Sequence, residues 1–159
     1  MQTMKLKYIL AAIMVCCLSL FNTVNAQKGA SDGYVLSSIS LEDNSAPGAL
    51  QNTPVFEDAS ISCLLNSEWR LSKGNGYYKI VDANNCMPGM REVTWKFFNV
   101  KGSDYFQFFR TSAVPGVPAD PRIIYVCEVK SSGKGSFTLR YPILFENKPN
   151  AILFMFTQK

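Results

Sequence analysis

From residue 68 onward the chain repeats with a period of two. In 90–101, Val93, Trp95 and Phe97 fall on one side of an extended backbone and Thr94 and Lys96 on the other. That is the repeat of a strand, whose successive side chains point to opposite faces. The same reading places strands at 68–73, 77–82, 105–111, 122–130, 136–145 and 151–157. Turn-forming clusters separate them: Gly74-Asn75-Gly76, Gly102-Ser103-Asp104, a loop with Pro115, Pro118 and Pro121, then 131–135 and 146–150. No stretch carries a long helical repeat. Roughly seven or eight short strands, with turns every 8–12 residues or so, predict an all-β antiparallel meander closing into a small barrel or sandwich. Closure also hides the run Ile152-Leu153-Phe154-Met155-Phe156, which on an open edge would pair with other chains.

Ahead of the meander, 56–65 reads as a short helical turn before the first strand. Asp58 or Ser60 serves as its cap, and Ile61, Leu64 and Leu65 fall at helical spacing. Residues 27–55 are rich in Ser, Asn, Gly, Asp and Pro and read as a flexible N-terminal arm. Within that arm, 34–41 is β-capable and suited to adding a strand or engaging a partner. Residues 1–26 have the grammar of a signal peptide: Lys5 and Lys7, an apolar run over 8–21, and the small-residue site Val24-Asn25-Ala26. The expected organisation is thus a signal peptide (1–26), an arm (27–55) and a β-barrel domain (56–159). Export makes the protein periplasmic, secreted or associated with the outer membrane, with no transmembrane span in the mature chain. The alternative, a lipid anchor at Cys16 or Cys17, lacks a small residue at the end of Ile13-Met14-Val15.

Composition excludes much chemistry. The chain contains no histidine, which removes Ser-His-Asp and Cys-His arrangements, His-containing zinc sites and the usual base near neutral pH. Beyond the leader the cysteines are Cys63, Cys86 and Cys127, too few for a four-thiolate centre, so no metal is expected. The net charge of +4 includes Lys5 and Lys7 of the leader, and no basic stripe appears, which argues against nucleic acid. Gly74, Gly76, Gly133 and Gly135 sit in turns without the strand-to-helix context of a phosphate loop. Glu92, Asp104, Glu128 and Glu146 are scattered. The expectation is a protein without cofactor that is not an enzyme.

The three cysteines allow one bridge in an oxidising compartment. With the first hairpin turning on Gly74-Asn75, Lys73 faces Gly76, and the same register continued outward sets Cys63 opposite Cys86. That pairing is expected, with Cys127 a buried free thiol; Cys86 with Cys127 is the alternative.

Leu64-Leu65-Asn66-Ser67-Glu68-Trp69-Arg70-Leu71, a helical entry into a first strand with a tryptophan near its start, resembles the opening of lipocalins. It is most similar to the short lipocalin-like domains exported by Bacteroidetes-type bacteria, over residues 60–159. Ser67 stands where that family has the glycine of Gly-x-Trp. The family's late arginine, which packs over the tryptophan, corresponds to Arg140. The resemblance implies that Trp69 and Arg140 close one end of a lipocalin-like barrel, where a guanidinium over an indole adds about 0.5–2 kcal/mol. It also implies non-catalytic binding of a small apolar or amphipathic ligand. The aromatics expected to contact that ligand are Trp95, Phe97, Tyr105, Tyr125 and Tyr141. Phe97 beside Phe98, and Phe108 beside Phe109, load both faces of their strands, so one set fills or lines the interior and the other needs cover. The alternative reading is a solid barrel serving as a structural or interaction subunit of a cell-envelope or secretion assembly, docked through 34–41 or 151–157 by strand addition. Its partner is then a protein of the envelope. Room decides between them, since a ligand cavity occupies ~300–1,000 Å³.

Overall fold

In the computed structural model, residues 33–43, 50–81, 86–114 and 118–159 are described; the expected signal peptide and lipid-anchor cysteines lie outside them. The elements are β1 (Gly33–Leu41), β2 (Pro54–Val55), β3 (Ala59–Ser60), α1 (Ile61–Leu64), β4 (Glu68–Ser72), β5 (Asn75–Ile80), β6 (Gly89–Val100), β7 (Ser103–Arg110), β8 (Tyr125–Gly133), β9 (Ser136–Phe145) and β10 (Lys148–Gln158). Strands β4 to β10 pair antiparallel in chain order, and β1 pairs with both β10 and β4, so eight strands form a closed barrel. None of the helices among the described residues is long and apolar enough to cross a membrane.

The expected meander is therefore present, and its turns follow from backbone sterics. Lys73 and Gly74 (φ 43° and 85°), Lys101 and Gly102 (51° and 88°), and Glu146 and Asn147 (50° and 61°) all sit in the left-handed region. Two successive residues there make the type I′ turn, whose twist matches that of the strands it joins. The first turn falls one residue earlier than expected, with Ser72 rather than Lys73 facing its partner, here Asn75. Gly74 takes the second turn position. Gly76 is then free to sit against β4, where a Cβ would lie 2.2 Å from the Arg70 carbonyl oxygen.

Two boundaries differ from the sequence reading. Residues 33–41, expected within a flexible arm, form a wall strand, so the barrel begins at Gly33 and not at residue 56. The hidden driver is the edge of β10: β1 covers it from Tyr34↔Gln158 to Leu41↔Ile152 and buries Leu36 and Leu41. The expected short helical turn is present but does not fill 56–65. The hairpin β2–β3 precedes a single helical turn, and Ser60 at its N-cap position makes no side-chain capping bond.

The barrel is filled. Trp69, Tyr78, Phe106, Phe108 and Phe154 are among its fully buried side chains, as an eight-stranded barrel is just wide enough to allow. Trp69 stacks on Tyr78 (centroids 4.6 Å, planes 18° apart) and meets Phe108 and Phe156 edge-on. Its Nε1–H donates to Ser67 Oγ at 2.9 Å, a bond the glycine of the lipocalin-like pattern lacks.

The segment 50–66 turns inward and plugs one end. At its tip Phe56 contacts Phe108, Tyr125, Tyr141 and Phe154, with centroids 4.9–5.5 Å away. Behind the tip, the Cys63–Cys86 disulfide (Cα–Cα 5.5 Å) ties α1 to the approach to β6. The expected pair is the observed one, although the hairpin runs two positions off the register used to infer it and its ladder ends at Glu68↔Lys79. Cys127 is a buried free thiol.

Candidate functional site

The plug is held by charge as well as by Phe56. The turn Val55-Phe56-Glu57-Asp58 places Phe56 and Glu57 at φ 55° and 47°, an arrangement that disfavours L-residues by about 1–2 kcal/mol each. What holds it lies on either side. Phe56 is buried among four rings, and Asp58 reaches Arg91. Arg91 Nε donates to Asp58 Oδ2 at 3.0 Å and Nη2 to Oδ1 at 3.3 Å, while Nη1 and Nη2 also reach the carbonyls of Gly89 and Met87. Tyr78 Oη donates to Asp58 Oδ2 at 2.6 Å. Burial first, and then the Asp58 carboxylate, push the Tyr78 phenol far above its ordinary pKa, so it stays a donor. Asp58, expected as a helix cap, is the anion of a buried cluster.

Arg110 lies at the same end and is only 4 % exposed. Its Nη2 donates a long hydrogen bond to the Glu57 carbonyl at 3.5 Å and its guanidinium also interacts with the Tyr125 hydroxyl, while Nε and Nη1 are buried without a hydrogen-bond partner. A narrow crevice beside it is lined by Arg110, Asp120, Ile123 and Tyr125. Asp120 is already engaged by Arg122, which holds its carboxyl down at about 2.

Next to the crevice the wall parts. The β8–β9 ladder begins at Glu128↔Arg140. Beyond it, Tyr125 to Cys127 pair with β7, and Tyr141 to Phe145 pair with β10. Pro142 lies in this stretch and has no N–H to give a ladder. The gap is a cleft of about 680 Å³. The plug bounds it through Leu50 and Val55 to Glu57, β8 and the residues before it through Ile123 to Tyr125, β9 through Tyr141 to Phe145, and β10 through Ile152. Its lining is apolar apart from Thr53, Glu57 and the two tyrosines. Burial raises the phenol of Tyr125 to about 12 and that of Tyr141 in the same direction, so both are neutral hydrogen-bonding groups at the cleft wall.

Of the five aromatics expected at the site, Tyr125 and Tyr141 line the cleft. Trp95 and Phe97 do not: they pack on each other and on Phe106, and Trp95 Nε1–H donates to the Asn75 carbonyl. Tyr105 is on the outer face, stacked on Phe98, because its neighbour Phe106 points inward. The expected Trp69–Arg140 closure is absent. Leu139 takes the inward position and sends Arg140 outward, where it pairs with Glu42 at 2.7 Å and Glu128 at 3.9 Å. Tyr78 covers the indole face instead.

Sequence reasoning missed Phe56, Asp58, Arg91 and Arg110. Arg91 and Arg110 sit on the same inward alternation as Val93 and Phe108, and a charge on an apolar face was the available signal. Among the described residues no cluster of His, Cys, Asp or Glu is placed to hold a metal. No family model matches the chain, and comparisons with curated proteins and with solved structures find no match either.

Proposed function

We propose that this chain is an exported, non-catalytic binding protein for a small apolar or amphipathic ligand, held in the cleft between the plug and the parted β8–β9 wall. The carrying observation is the cleft itself: about 680 Å³ and lined mainly by apolar residue types, though polar atoms form close to half of its exposed wall; its size is within the ~300–1,000 Å³ range of small-molecule sites. The filled interior supports moving the ligand from the barrel axis, where a lipocalin-like reading puts it, to this lateral opening. The absence of histidine from the sequence removes His-activated nucleophiles, and the burial of Cys127, which lifts its thiol to about 12, removes a reactive thiolate; both favour binding over catalysis. The disulfide and the leader-like start fit an oxidising, extracytoplasmic setting.

Titration with N-phenyl-1-naphthylamine, an uncharged fluorescent probe, tests this. One saturable site is expected, with the probe displaced by dodecan-1-ol. Binding should fall at least tenfold in Ile143→Trp, whose indole fills the cleft, with an unchanged urea midpoint certifying the fold. Absence of saturable binding overturns the proposal, as does full binding by a folded Ile143→Trp.

The second reading, a structural or interaction subunit of an envelope or secretion assembly, rests on the outer face. There Phe98 and Tyr105 stack and Lys96 sits over Phe98. Docking by strand addition does not suit it, since β1 and β10 each have two neighbours in the ring. Native mass spectrometry of protein from its own envelope separates the readings: a monomer releasing a small molecule supports the carrier, and a ligand-free multi-subunit species supports the assembly.

A further inference from the structure

We infer that the cleft receives an extended peptide segment of another polypeptide, laid as an added strand into the opening between β8 and β9. The inference rests on the cleft being the binding site and names the chemical class of its occupant. Main-chain geometry carries it. Glu42 N–H donates to the Ala151 carbonyl, so Ala151 turns its main-chain groups to β1 and away from β9. Its cross-strand partner Pro142 therefore turns its own away from β10, toward the opening. Leu144, two residues on, faces the same way. The β8–β9 ladder has by then ended, at Glu128↔Arg140. Among the described residues no main-chain bond joins Leu144 to Ile124 on the facing bank.

An unpaired strand edge recruits other chains, and proteins ordinarily blunt it with charge or cover it. Here the residues beside the opening are apolar and on the outer surface: Leu144 is 77 % exposed, Ile124 48 % and Val126 39 %. Pro142, without an N–H, cannot complete the ladder with β8. Polar atoms form close to half of the cleft wall although most lining residues are apolar. Such a wall suits a guest with regular polar groups along an apolar body.

The pleat says how that guest lies. A residue opposite Leu144 can exchange both bonds with it, N–H to carbonyl in each direction. The residues on either side of that one point inward, where Tyr141, Ile143 and Phe145 line the cleft. Apolar side chains at alternate positions thus fill it. Glu57 is the only charged side chain among the lining residues, which favours a neutral or basic segment over an acidic one. A second copy of this chain is the poorer occupant. A strand between two banks needs both its edges free, and every barrel strand already has two neighbours in the ring.

The test is calorimetry on the full chain with a blocked heptapeptide of alternating threonine and valine ending in lysine, and with its analogue N-methylated at alternate residues. The peptide is expected to bind saturably and the analogue at least tenfold more weakly, because methylation removes N–H groups and keeps apolar surface. Leu144→Pro removes an N–H that lies outside the β9–β10 ladder. It should weaken the peptide at least tenfold more than Leu144→Ala, which keeps that N–H, with urea midpoints certifying both folds. Equal binding of the peptide and its methylated analogue overturns the added strand, as does an equal loss in the two variants. Saturable binding of N-phenyl-1-naphthylamine without binding of the peptide overturns this inference and spares the cleft. Binding of neither overturns both. A dimer of the peptide-free protein that dissociates in Leu144→Pro, seen by sedimentation, overturns it in favour of a second copy.

Discussion

Arg91 and Asp58 meet inside one end of the barrel, Nε to Oδ2 at 3.0 Å, one carried by the wall and the other by the plug. The pair fixes the position of the β2–β3 hairpin, because Phe56 and Glu57 adopt left-handed backbone angles between the two anchors at Phe56 and Asp58. Removing one partner from a buried pair leaves the other uncompensated, which typically costs about 3–5 kcal/mol. Asp58→Asn is expected to lose that much in urea denaturation. The double variant Asp58→Asn with Arg91→Met should recover part of it. Additive losses in the double variant would contradict the pairing.

The Cys63–Cys86 bridge spans 23 positions of sequence. Chain entropy alone gives such a loop about 3 kcal/mol of stabilisation. Replacing both cysteines with alanine should lower the unfolding free energy by that order and raise amide exchange in 50–66 ahead of the wall strands. Uniform exchange across the molecule would mean that the bridge does not secure the plug.

Stability should fall on the alkaline side. Burial raises Cys127 from 9.0 and Tyr125 from 10.0 to about 12 each, and raises Tyr141 too. The unfolded chain therefore releases these protons first. The stabilisation is complete below pH 9 and is lost as pH climbs from there toward 12. Urea midpoints measured from pH 7 to 11 should begin to drop near 9. In Cys127→Ala the overall level falls through the lost side-chain packing, but the onset moves toward 10, where the tyrosines begin. An onset unchanged by that substitution would refute the assignment to Cys127.

The strands were legible because the meander is written in local alternation and turn residues. Val93, Trp95 and the Gly74 and Gly102 turns need only their neighbours to be read. What was not legible depends on closure. Nothing local distinguishes 34–41 as a wall strand from a β-capable arm, since its reason for ordering is the edge of β10, more than a hundred residues away. The candidate site failed for a related cause. Phase along a strand is readable, so Tyr105 opposite in phase to Phe106 could have been placed outside. The cleft itself comes from an interrupted ladder and an inserted hairpin, and neither leaves a periodic trace. Arg140 shows the limit of positional resemblance: one step of alternation, with Leu139 taking the inward place, moved it to the outer face.

Leu36 lies opposite Phe156 in the β1–β10 seam, and that seam sets a timetable. Seven strands can zip neighbour to neighbour as they emerge. The ring cannot shut until β10, the last of them, finds β1, and contacts so distant in sequence are slow to form. Until that moment β1 has a free edge, and the plug, threaded between β1 and β4, has no closed mouth to seat in. Completion of the wall, the plug and the lateral cleft should thus arrive together as one late event.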